Sequence, residues 1–509
     1  MQQHWQVRLQ ELPSRHSGHR ILHGKISSLS ANPAFLQYCG PECQKSHWTM
    51  HKPDCKSHLG RESWQPDWVL ENRAPAFIGN GPPQVTYGAG KYHWGNVPAF
   101  DVLRLGAIEG VSYNEQLRLL FAASGDLRIV VKTIAQLPDS YTQPSEVTIN
   151  DRDLNIVARN VIMLLISLVV DDVDIAADCI IHVWSAWDDL LSFTDTPKGL
   201  TANRAHEIRK AVTLAESRKD YRDRHLLLQS PSHRIALTRF REDGLLLLFG
   251  AARDAFRHPN PTIYQEASWP MYDNAEPLNG WSAKDVQETQ TGPATADIYG
   301  KLFISLRTVL RAFLRRLSSS QTSFRLFQVD ASALPRFLEN STFSRIEVSL
   351  QHLRCRISRH PSHAQPDDSP PSKPSRQPLF MNAVDENATE MERLTDMKAD
   401  GVVMKRIHKY LSPSGRPLNY YDTTIFKIMA ARDCVPTYDH VFDRHAAKLM
   451  FCQSAQLVGA AVKGSHTVIE KWPFRLKLRP GQTGAQEEFD RLLGEGVSSK
   501  GRYVEWKRV

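Results

Sequence analysis

Apolar positions cluster into short runs, and their periods predict a sequence of elements. Residues 117–122 form a short apolar run, broken at Arg118 alone, of the length expected for a buried strand. A small polar turn, Ala123-Ser124-Gly125-Asp126, follows. Leu127, Val130, Val131 and Ile134 then recur at helical spacing, and Pro138 is a stop signal. Residues 146–149 predict a second strand, ending in Asn150-Asp151, and a long helix is expected over about 153–170.

Further on, residues 175–190 read as a helix with His182 and Trp184 packed inward. Residues 205–229 read as one charged, solvated helix. Residues 302–317 carry Leu302, Leu306, Leu310 and Phe313 on one face, the stripe of a core-facing helix. Strands are expected over 324–331 and 344–350. Helical patterns occupy 379 to about 429, and the stretch from Asp439 to Arg444 reads as a helix start with ion pairs. In residues 468–478 basic and apolar positions alternate, which predicts an antiparallel edge strand.

Strand, small-residue turn, helix, and a strand ending in an acid together make a βαβ unit of doubly wound type. The expected fold class is α/β: a degenerate Rossmann-like doubly wound domain. A small partial zinc finger precedes it, and an α+β C-terminal part packs on it. The domain boundaries follow breaks in the pattern. Residues 1–37 lack a period and read as a disordered arm or a misread exon. Residues 38–60 hold the finger, and residues 61–92, with Pro66, Pro75, Pro82 and Pro83, have linker chemistry. The Rossmann-like domain covers 93–350. Residues 351–378 are rich in Pro, Ser, His and Arg and read as disordered. The C-terminal part is 379–509.

Composition narrows the class. The chain has 509 residues, 41% hydrophobic and 23% charged, which is ordinary for globular protein. The net charge of +8 comes from 63 basic and 55 acidic residues spread along the whole length. No basic recognition helix follows the finger, so nucleic acid is disfavoured as a partner. The longest apolar run, 161–170, is about half of the roughly 20 residues a membrane span needs. Four of the seven cysteines (Cys179, Cys355, Cys434 and Cys452) are far apart, which favours a reducing, intracellular compartment, cytoplasm or nucleus.

The other three cysteines lie together. Cys39, Cys43, His51 and Cys55 have the spacing C-x3-C-x7-H-x3-C. Thiolate and imidazole are the donors zinc prefers, and close pairs let one turn of backbone present two of them to one ion. No upstream cysteine completes further pairs. Three arrangements stay open: the four donors close around one ion, upstream histidines such as His19 and His23 substitute, or residues 1–37 are a misread exon.

From Tyr38 to Cys55 the stretch resembles the second half of a MYND-type zinc finger. The matching residues are Tyr38, Cys39, Cys43, Gln44, Trp48, His51, Lys52 and Cys55. The resemblance implies one or two zinc ions, with Cys39 and Cys43 on one and His51 and Cys55 on the other. It also implies a protein partner, a proline-containing peptide, with Gln44 and Trp48 lining the groove. Trp94 to Asp101, Gly125-Asp126-Leu127-Arg128, Asn150-Asp151 and Ala158-Arg159-Asn160-Val161 resemble a fungal family known as domain of unknown function 4470. A related segment looks like the N-terminal part of an axonemal dynein assembly factor. These resemblances imply architecture rather than chemistry.

Two functions remain. The first is an interaction protein, an assembly or regulatory factor: a zinc finger on a non-catalytic body. The second is an S-adenosylmethionine-dependent methyltransferase, a class that uses this βαβ layout. In that case Gly125 and Asp126 approach the cofactor and Asp151 accepts from ribose hydroxyls. Only one glycine stands where a dinucleotide fingerprint has two or three. No Ser-His-Asp, paired-carboxylate or HExxH arrangement offers catalytic residues.

Overall fold

The computed structural model describes residues 4–8, 52–78, 87–185, 200–338, 343–350, 375–380, 383–392, 401–412, 421–495 and 500–509, less 249, 252, 254, 255, 265, 267, 292, 293 and 458. Nine strands form one sheet among them. They are β1 (His4–Arg8), β2 (Leu117–Phe121), β3 (Ser145–Asn150), β4 (Thr322–Phe327), β5 (Arg345–Leu350), β6 (Ser375–Phe380), β7 (Ala460–Val462), β8 (Arg502–Tyr503) and β9 (Trp506–Arg508). The order is β1-β4-β3-β2-β5-β6-β9-β7, with β8 also on β6.

Strands β4, β3, β2, β5 and β6 run parallel. The chain moves outward from β2 through β3 to β4, then returns to the other side of β2 for β5 and β6. Antiparallel strands close both ends, β1 on β4 and β9 on β6. The fold is therefore mixed α/β with a parallel centre.

Both faces of that centre are buried, as parallel strands require. Leu117, Leu119 and Phe121 point to one core, which also takes Val147, Ile149, Phe324 and Leu326. Leu120 and Ala122 point to the opposite side, with Phe327, Val329 and Leu334. The period of two along β2 thus divides its side chains between two cores.

The larger core is roofed by helices. These are α1 (Arg128–Ala135), α2 (Leu154–Val169), α3 (Val173–Trp184), α4 (Ala202–Thr213), α5 (Lys219–Leu226), α6 (Pro231–Asp243), α7 (Ala283–Glu288) and α8 (Ile298–Ser319). In α8, Leu302, Leu306, Leu310, Phe313, Leu314 and Leu317 are buried and make a continuous stripe. Each such side chain contributes about 1.5–3 kcal/mol by leaving water. Asp153 caps α2 by accepting from the Asn155 amide, and Asp172 caps α3 through Asp174 and Ile175. Pro231 opens α6, and Gly244, at φ +72°, ends it in the left-handed conformation.

Four sequence expectations need correction. The charged segment 205–229 is two helices, α4 and α5, broken after Thr213. Residues 61–78 are no loose linker: Trp68 is fully buried, edge-on to Phe77 at 5.4 Å and to Phe426 at 5.7 Å. Residues 468–478 form no strand; the short edge strand is β7, a few residues earlier. The helix expected over 175–190 starts earlier, at Val173, and ends at Trp184.

Two segments expected to lack order contribute strands, β1 at 4–8 and β6 from Ser375. The C-terminal part continues the same sheet through β6 to β9 and adds α9 (Thr423–Cys434), α10 (Asp439–Lys448) and α11 (Ala485–Glu495). Asp439, at the start of α10, accepts from Trp472 Nε1 at 2.7 Å and pairs with Arg475 at 3.2 Å.

Candidate functional site

Cys39, Gln44, Cys43, Trp48 and His51 lie outside the described residues, and only the last donor, Cys55, is described. It is exposed, not disulfide-bonded, and set in a helical turn over residues 52–56. Partial burial and the neighbouring Asp54 raise its thiol pKa. A metal ion is what would hold such a thiol as thiolate. Three thiolates and an imidazole are a known structural zinc set, so the donor chemistry fits zinc.

The chain just after the last donor is fixed to the body. Asp54 is 8% exposed and pairs with Arg239 on α6. The carbonyls of Leu59 and Arg61 accept from Arg234 Nη1 at 3.3 and 3.1 Å. The last donor is therefore held against α6 rather than hung on a free tether.

The structure brings the other candidates together at the carboxyl ends of β2 and β3. Gly125, at φ +58°, sits in the left-handed region, where glycine carries no Cβ penalty. Its amide donates to Asp151 Oδ2 at 3.0 Å, and its carbonyl accepts from Asn160 Nδ2 at 2.8 Å. Asp151 Oδ1 accepts from the Asp153 amide at 2.9 Å. Burial pushes the Asp151 pKa up, opposed by those two backbone donors.

Asp126 faces inward. Arg128 Nε donates to both its oxygens, at 2.6 and 2.7 Å, and the Gly95 amide donates to it at 3.2 Å. Arg128 Nη1 donates to the carbonyls of Val97 and Gly280, at 2.5 and 2.7 Å. The guanidinium thus fills the space beyond the end of β2. Gly95 makes room for it: a Cβ there would lie 1.3 Å from Arg128 Nη2. At Gly280 a Cβ would lie 2.6 Å from Nη1.

Glu347 of β5 adds a third buried charge site. It is 2% exposed, and burial raises its pKa to about 8, against the pull of Arg128. Its Oε2 has no hydrogen-bond partner among the described residues.

Two more polar side chains tie the surrounding elements together. Asn150 Nδ2 donates to the carbonyls of Ala122 and Val329, and its Oδ1 accepts from the Val329 amide, stitching the ends of β2, β3 and β4. Arg159, buried in α2, donates to the carbonyls of His93 and Val183 at 2.9 and 2.7 Å. Its pKa falls to about 10 through burial, so it stays charged at neutral pH.

These are the positions that the sequence marks as motif: Trp94-Gly95, Gly125 to Arg128, Asn150-Asp151 and Arg159-Asn160. The comparison with family models agrees. Residues 34–55 match the MYND finger, and residues 93–187 match a domain of unknown function, DUF4470. The chain carries a MYND finger followed by DUF4470. No curated protein and no solved structure matches it. The DUF4470 segment spans β2, α1, β3, α2 and α3, and its polar motif residues bond to one another and to strand ends.

Reasoning from sequence reached Gly125, Asp126 and Asp151 but missed the central part played by Arg128 and Glu347. The available signal was an arginine two residues after a turn aspartate, opening a largely apolar helix.

Proposed function

We propose that the protein is a zinc-dependent interaction factor, an assembly or regulatory protein inside the cell, whose MYND finger binds a proline-containing peptide. The match of residues 34–55 to the MYND finger carries this reading, because such fingers mediate protein contacts. Cys39, Cys43, His51 and Cys55 would hold the zinc, and Gln44 and Trp48 would meet the peptide. The body would be a degenerate Rossmann-like domain serving as a rigid mount. Its support is the internal use of the groups a nucleotide cofactor would need: Asp126 is taken by Arg128 and Asp151 by two backbone amides.

Fluorescence polarisation with labelled proline-containing peptides tests the reading. The zinc-loaded chain should bind, and chelation or Trp48→Ala should abolish binding. A zinc-loaded chain that binds no such peptide refutes it.

The second reading, an S-adenosylmethionine-dependent methyltransferase, is favoured by one observation. The strand order folds back at β2, and ligands of doubly wound sheets bind outside the carboxyl ends of strands at that point. Saturable micromolar S-adenosylmethionine binding, lost in Asp151→Ala, would establish it in place of the mount.

A further inference from the structure

A cavity of about 520 Å³ lies where α6 and the Pro277–Gly280 turn of the central body meet α11 of the C-terminal part. That volume is within the roughly 300–1,000 Å³ of small-molecule sites. Gly125, Asp126 and Asp151 do not line it.

The lining has apolar residues and polar ones. Leu227, Leu278, Trp281 and Ile298 are among the first. Glu276, Glu495 and His233 are among the second. Glu276 is 6% exposed and accepts the Tyr299 hydroxyl at 2.7 Å. Glu495 pairs with Arg491 at 3.3 Å. His233 Nε2 is buried with no hydrogen-bond partner among the described residues. Burial lowers the His233 pKa to about 4, so the ring is neutral near pH 7 and one of its nitrogens can accept.

Five carboxyl side chains, Glu62, Glu276, Glu487, Asp490 and Glu495, line the cavity with three cations, Arg234, Lys427 and Arg491. Glu62, Glu487 and Asp490 are exposed. Arg234 also lines the cavity, but its Nε and Nη1 donate to backbone carbonyls of residues 226, 229, 59 and 61. Arg491 is engaged with Glu495. Acidic side chains thus outnumber basic ones at the lining, and the bonded Arg234 and Arg491 have fewer free donors for an anion, which favours a cation.

We propose that this cavity binds a small organic cation, an amine or guanidinium on an apolar stem. The head group lies toward Glu276 and Glu495, and the stem lies against Trp281. The two carboxyls are costly to ionise where they stand, because burial raises both pKa values, that of Glu495 to about 7. A bound cation reverses that cost and releases protons. It also gives the vacant His233 nitrogen a donor. The proposal is independent of the finger and its peptide.

Titration calorimetry of the full chain at pH 7 tests it, with agmatine, spermidine and phenethylamine as probes and phenylacetate as the anionic counterpart. Saturable one-site binding of at least one amine is expected, with an enthalpy that depends on the ionisation heat of the buffer. Glu276→Gln should weaken binding at least tenfold. Gln287→Trp, an exposed lining position, should do the same by obstructing the cavity without touching the buried core. The proposal is overturned if none of the three amines gives saturable heat at millimolar concentration. It is equally overturned if Gln287→Trp binds like the unaltered chain, or if phenylacetate binds as tightly as the amines.

Discussion

Arg128 Nε lies 2.6 and 2.7 Å from the two carboxylate oxygens of Asp126, and both side chains are buried. The pair closes the crevice beyond β2 with the protein's own charges. Removing one partner strands the other in a poorly solvated place. Arg128→Met should therefore destabilise the chain by about 3–5 kcal/mol, the usual cost of an orphaned buried charge. A lowered urea midpoint in denaturation followed by tryptophan fluorescence would register it. An unchanged midpoint would show that water reaches Asp126.

Gly95 and Arg128 should prove coupled. A Cβ at residue 95 would fall on the guanidinium, which is held by two carbonyls and a carboxylate and cannot swing aside cheaply. Gly95→Ala should cost nearly as much as losing the arginine. In the Arg128→Met background the same change should cost little. A double-mutant cycle should thus give a coupling of at least about 1 kcal/mol, whereas additive effects would mean the two residues do not share space.

Glu347 makes stability depend on pH. Its ordinary pKa is near 4.5, and its folded value is raised to about 8 by burial. Between those values the folded state keeps a proton that the unfolded state has released. Stability from this group is therefore present at low pH, falls as pH rises through that window, and levels off above about 8. Glu495, raised to about 7, acts in the same direction. Buried His225 and His233, lowered to about 3 and 4, act oppositely, and only below about pH 6.5. Urea midpoints measured from pH 6.5 to 9 should decline for the unaltered chain and decline less for Glu347→Gln. Parallel curves would show that Glu347 ionises normally.

Strands β2 to β5 were legible because β2 is a short apolar run and β3, β4 and β5 alternate apolar with polar positions, patterns that need no partner to be seen. β1 and β6 were not legible. Residues 4–8, His-Trp-Gln-Val-Arg, alternate over only five positions in an otherwise unpatterned arm, and residues 375–380, Ser-Arg-Gln-Pro-Leu-Phe, have no strand period; they pair because β4 and β5 present open edges. Trp68 was hidden by its prolines: Pro66 and Pro75 suggest a linker, yet Phe426, hundreds of residues away, completes its packing. The candidate site failed in a similar way. Asp126 and Asp151 stand where a ligand-binding acid would, but the groups that occupy them come from residues 95, 128 and 153 and from contacts only the fold creates.

Trp68 pins the segment between the finger and the body. Truncating a fully buried tryptophan costs about 3–5 kcal/mol. The segment is otherwise held mainly by polar contacts at its ends, Arg73 and the Ala76 amide on Asp220 and Asp67 on Lys219, so the loss should appear first as local opening around residue 68. Trp68→Ala should speed tryptic cleavage between residues 61 and 73, with Arg61 and Arg73 as the sites. Cleavage at an unchanged rate would mean that Phe77 and the bonds to Asp220 and Lys219 hold the segment down without the indole.

Arg239 gives a way to separate the finger from its mount. Its partner, Asp54, is nearly buried and immediately precedes the zinc donor Cys55. Arg239→Ala leaves that carboxylate without its cation in a site it cannot easily leave. Residues 52–57 should then loosen from α6, because expelling Asp54 into water costs less than burying it alone, while Arg234 still holds residues 59 and 61. None of the four zinc donors is altered, so metal content should stay as in the unaltered chain. Hydrogen exchange should rise over 52–57 while zinc per chain, measured by mass spectrometry, is unchanged. A loss of zinc along with the faster exchange would show instead that the body shapes the metal site, and that the finger does not fold apart from its mount.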